Sequence, residues 1–122
     1  MNLPTLAAFL IATASVAVPC AAQEDYGCPG PDTSTLFQGC VNMKEAENLE
    51  VAISQQLKEI AKLAPSKVAV EQLSASQRDW AKYKDRACNV QNWLMGGANS
   101  VSYTRCVLFL TRQRLEYLQS SY

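Results

Sequence analysis

Residues 72–88 read QLSASQRDWAKYKDRAC, and this stretch decides the fold. Leu73, Gln77, Trp80, Lys84 and Ala87 recur at steps of three and four, which places them on one stripe of an α-helix with Tyr83 beside them. No proline or glycine interrupts the segment, and Cys88 supplies a covalent tether just past the stripe.

Working outward, the same helix extends back to about Lys67 and forward to Leu94 or Met95, where Gly96 and Gly97 stop it. Ser66 is placed to cap its start. Ala64 and Pro65 separate it from an upstream helix, because proline disfavours a helical residue before it. That upstream segment, Val41 to Leu63, carries Ala46, Leu49, Ile53, Leu57, Ile60 and Leu63 as a continuous apolar stripe. Asp32, Thr33, Ser34 and Thr35 offer N-caps for it, and Gly39 predicts a break or bend near Cys40. Downstream, GGANSVS is a loop in which Ser100 or Ser102 caps a last helix. Its stripe is Val107, Leu110, Thr111, Arg114, Leu115 and Leu118, with Phe109 on its flank. The fold class expected is therefore all-α, a small disulfide-stapled helical hairpin or bundle of three to four helices.

Leu3 to Val18 is short, apolar and followed by Pro19, Cys20, Ala21 and Ala22, the pattern of a signal peptide. The run is too short for a comfortable bilayer span and has no flanking Lys/Arg cluster, although MNLPT also lacks the usual basic start. Proline before Cys20 argues against a lipoprotein signal. Cleavage after Ala22 leaves a single domain, 23–122, that is secreted or periplasmic and has no membrane span.

Removing Cys20 leaves Cys28, Cys40, Cys88 and Cys106, the cysteine usage of a small exported domain. Four cysteines allow three pairings. Proximity favours Cys28 with Cys40 and Cys88 with Cys106, each closing a short loop that stabilises by roughly 3 kcal/mol in the chain-entropy model. Gln23 to Pro31, with two prolines and two glycines, reads as an irregular arm pinned by Cys28.

Composition excludes more chemistry than it suggests. The 122 residues contain no histidine, so no histidine-based triad or zinc-protease site can be assembled. Without CxxC or histidine, neither a redox site nor a metal site is expected, and no cofactor is implied. Asp79 and Asp85, six residues apart, fall on opposite sides of their helix and read as solvated charges. Eleven basic residues balance eleven acidic ones without a basic stripe, which argues against nucleic acid as partner. The protein is not expected to be an enzyme.

Trp80 reads first as a large piece of core whose indole N–H needs a partner, with Gln77 and Lys84 flanking it. Lys84 either makes polar contacts there or packs its stem with its head in water. A small-molecule site would require a pocket between helices near Trp80. Trp93, Leu94 and Met95 crowd a helix end beside Gly96, Gly97, Asn99 and Ser100. They form either an exposed protein-binding surface or a cap folded over the bundle end.

Ser76-Gln77-Arg78-Asp79-Trp80, then Tyr83-Lys84-Asp85, Cys88, Gly96-Gly97 and Cys106 with Thr111, Arg114 and Leu118 resembles the LprI-like lysozyme inhibitor N-terminal domain family. The resemblance is strong over about the last fifty residues and looser upstream. It implies an exported helical domain with two disulfides and protein binding, with lysozyme or another envelope protein as partner. Lys84 stands where the family usually has arginine, which removes a bidentate contact. The first helix lacks the family's usual Asp, Asn and Tyr. Gln77, Trp80, Asp85 and Arg114 form the signature, and Asp85 and Arg114 are expected in structural ion pairs between elements rather than in contact with an enzyme cleft. The functional expectation is a lysozyme inhibitor that occludes a hydrolase cleft. The alternative is a non-inhibitory cell-envelope accessory module.

Overall fold

A computed structural model describes residues 26–95 and 100–122, and these form three helices, α1 (Thr35–Leu63), α2 (Lys67–Met95) and α3 (Val101–Ser121). The expected signal segment 1–22 and loop residues Gly96, Gly97 and Asn99 lie outside the described residues, as does the side chain of Met95. No strand occurs among the described residues, so the chain is an all-α, disulfide-stapled bundle.

Short polar side chains set the helix starts. Ser34 Oγ accepts the Phe37 N–H at 3.1 Å, Ser66 Oγ accepts from Ala69 at 3.2 Å, and Ser100 Oγ accepts from Tyr103 at 3.1 Å. Each satisfies a donor that the first helical turn leaves without a backbone partner. Ala64, extended before Pro65, ends α1 and donates its N–H to Ala61 O at 3.3 Å.

The break expected near Gly39 and Cys40 does not occur, and α1 runs through both residues. A mid-helix glycine costs only about 1 kcal/mol relative to alanine. Here Phe37, Gly39 and Val41 are all buried, so packing of the first turns outweighs that penalty.

α3 packs along both α1 and α2, which touch each other much less. Asn42 meets Thr104 and Ile60 meets Leu118, so α1 and α3 run parallel. Cys88 meets Cys106 and Gln77 meets Arg114, so α2 runs antiparallel to α3. At 29 residues each, α1 and α2 are roughly 43 Å long at 1.5 Å per residue.

The core has two centres. Ala46, Cys88, Val107 and Leu108 form one, with Met43 and Leu49 against it. Ile53, Ile60 and Leu118 form the other, covered by Leu57, Leu73, Trp80 and Leu115. Full burial of a side chain such as Ile53 or Leu118 stabilises by about 1.5–3 kcal/mol. Leu63, expected on the α1 stripe, is exposed because it lies nearly a turn beyond Ile60, past the last buried residue of α3.

The two local disulfides are present. Cys28–Cys40 ties the arm to α1, and Cys88–Cys106 ties α2 to α3, with Cα–Cα separations of 5.8 and 5.5 Å. In the arm, Gly30 holds φ +91°, a conformation that side chains resist, and an added Cβ would sit 3.2 Å from the capping Ser34 Oγ.

Candidate functional site

The α2 stripe brings Trp80, Lys84 and Gln77 against two neighbouring helices. Trp80 covers the Ile53–Leu118 cluster while remaining partly exposed. Lys84 is only 9% exposed, and its Nζ lies 5.0 Å from the centre of the Trp80 ring. Its ammonium is paired with Glu50 of α1. The lysine head is therefore buried rather than in water, and a charged acceptor compensates its lost hydration. Glu50 was not singled out in the sequence, where it sits on the flank of the Leu49–Ile53 stripe.

Arg114 of α3 reaches the same ring from its own helix. Its Nε donates to Gln77 Oε1 and its Nη2 to Ser76 Oγ, both at 3.0 Å. The guanidinium carbon lies 5.9 Å from the Trp80 ring centre and 5.7 Å from that of Tyr117. This corrects the expected ion pair, because the partners of Arg114 are a neutral amide and a neutral hydroxyl. Asp85 corrects it again, being exposed and forming no ion pair with any described residue. It lies well away from the stripe that α2 turns to its neighbours. Gln77, Trp80 and Arg114 thus come together, and Asp85 does not join them.

Trp80, Tyr83, Leu110, Gln113, Arg114 and Tyr117 enclose a shallow groove of about 290 Å³ between α2 and α3. Tyr83, Phe109 and Tyr117 are all more than half exposed. Tyr117 was not picked out in the sequence, and its signal was weak: it lies three residues past Arg114, at the edge of the α3 stripe. A larger cavity of about 400 Å³ lies away from Trp80, at the α1–α2 connection, lined chiefly by Ile60, Leu63, Pro65, Leu73 and Tyr122.

At the far end of α2, Trp93 is 88% exposed and Leu94 74% exposed. Both of these described side chains stand in solvent. Ser100, a candidate contact residue, uses its hydroxyl to cap α3. Asp79 is exposed and lies 4.0 Å from Lys82. Among the described residues no three His, Cys, Asp or Glu side chains group as a metal set, and no helix is long and apolar enough to cross a membrane.

The fold and these side chains define a disulfide-stapled three-helix domain whose aromatic and charged residues are offered on open helix faces. Residues 33–118 match the family described as lysozyme inhibitor LprI, and the chain belongs to that family. The match covers α1, α2 and all but the last three residues of α3, and begins after Cys28. No curated protein and no solved structure matches the chain.

Proposed function

We propose that this protein is an exported, non-enzymatic protein-binding domain that inhibits lysozyme, acting in the periplasm or outside the cell. The observation that carries this is the family match over residues 33–118. Two disulfides in so small a domain suit an oxidising compartment, and the apolar leader with a cut after Ala22 provides the route there.

The docking surface proposed is the far end of α2 and the loop after it: Trp93, Leu94, Met95, Gly96, Gly97, Asn99 and Ser100. Two large apolar side chains standing in solvent support it, since a well-packed domain leaves few such residues adjacent to one another. Occlusion of the lysozyme cleft by this end of the domain is the mode of inhibition proposed. The test is lysis of bacterial cell walls followed by turbidity. Rates should fall as the purified, disulfide-intact protein is added. Unchanged rates at micromolar excess across several lysozyme types would sink the proposal.

A further inference from the structure

We infer that the α2–α3 groove is a second contact site, in which Arg114 receives a carboxylate projecting from the surface of lysozyme. This rests on the inhibitor function proposed above and adds a site away from the end of α2.

No carboxylate of the described residues forms an ion pair with Arg114, whereas Lys84 has Glu50 and Arg112 has Glu45. Gln77 and Ser76 take Nε and Nη2, and Nη1 is left without a partner among the described residues. The Trp80 and Tyr117 rings hold the guanidinium in place, so little of its freedom remains to be lost on binding. The groove lining contains no acidic side chain, and its exposed Tyr83 and Tyr117 join Trp80 and Arg114 in the residue types that dominate binding hot spots.

Charge complementarity therefore calls for an anion, and the planar guanidinium favours a carboxylate. Shape narrows the source. The groove is itself concave, so it fits a side chain that projects from the partner and not the carboxylates recessed in a catalytic cleft. A carboxylate covered there by the tyrosines would meet Arg114 with much of the water removed, which strengthens the pairing.

The test uses the disulfide-intact protein and lysozyme in a binding titration. Gln113→Glu sets a competing carboxylate at the groove lip from an exposed position, without removing any hydrogen bond Arg114 makes. It should keep the wild-type melting temperature and weaken lysozyme binding about tenfold. Arg114→Gln should weaken binding similarly and flatten its salt dependence. Wild-type binding with no loss in either variant overturns the groove site and leaves the inhibitor proposal standing. No binding by the wild type overturns both. Self-association of the wild type that Gln113→Glu abolishes, with lysozyme binding unaltered, assigns the groove to a second copy and also overturns the inference.

Discussion

Replacing Glu50 by alanine should destabilise the protein more than replacing its partner Lys84 by methionine, although both changes delete the same ion pair. The asymmetry follows from burial. Lys84 is 9% exposed, whereas the Glu50 side chain is 46% exposed. Without Glu50, the ammonium stays under Trp80 with no charged acceptor. A hydrogen bond to a charged group is worth about 1.5–3 kcal/mol, and partial solvation of Glu50 puts the loss near 2 kcal/mol. Without Lys84, the carboxylate turns to water and a methionine of similar length fills the site. What is lost is chiefly the cation–π contact at 5.0 Å, about 0.5–1 kcal/mol. Lys84→Met should therefore cost under about 1 kcal/mol, and the double variant should resemble it rather than the sum. Equilibrium urea unfolding of the oxidised protein, followed by tryptophan fluorescence, measures all three. A Lys84→Met cost equal to or above that of Glu50→Ala would mean that burial of the unpaired ammonium is not what makes the pair matter.

Other consequences are as direct. Replacing Cys88 and Cys106 by alanine should cost more than replacing Cys28 and Cys40. Both pairs lose roughly 3 kcal/mol of loop constraint, but only Cys88 is fully buried in the core; thermal unfolding of the two double variants compares them. Under limiting reductant, peptide mapping of trapped thiols should find Cys28–Cys40 opened first, since both its sulfur-bearing residues are partly exposed. Gly30→Ala should lower stability by about 1 kcal/mol, through its left-handed backbone and the crowding of the Ser34 cap, as denaturant midpoints would report. Trp93→Ser with Leu94→Ser should alter stability by less than about 0.5 kcal/mol yet abolish inhibition of lysozyme in the turbidity assay.

Helix positions were legible in the sequence because their signals are local. Pro65, the serine caps and the stripe from Leu73 to Ala87 each act within a turn or two of the chain, and α2 begins where they place it. Gly39 misled because its local penalty is small beside the packing of Phe37 and Val41, which depends on tertiary structure. The polar partnerships were out of reach for a related reason. Lys84 meets Glu50 across 34 residues of sequence and Arg114 meets Gln77 across 37, and both depend on how far one helix slides along another. Periodicity sets the face a side chain occupies but not the height at which the next helix passes it. For the same reason Asp85 could be placed off the stripe from sequence, while its forming no ion pair with a described residue could not. Trp93 was ambiguous because composition cannot distinguish an apolar helix end that folds inward from one that stands free.

The claim on which everything functional depends is that this domain binds lysozyme and stops it working. Calorimetric titration of lysozyme with the disulfide-intact protein, with lytic activity read on the same samples, tests it most directly. Saturable heat at a defined stoichiometry is expected, with lysis falling in step with occupancy. No heat above dilution together with undiminished lysis would contradict it.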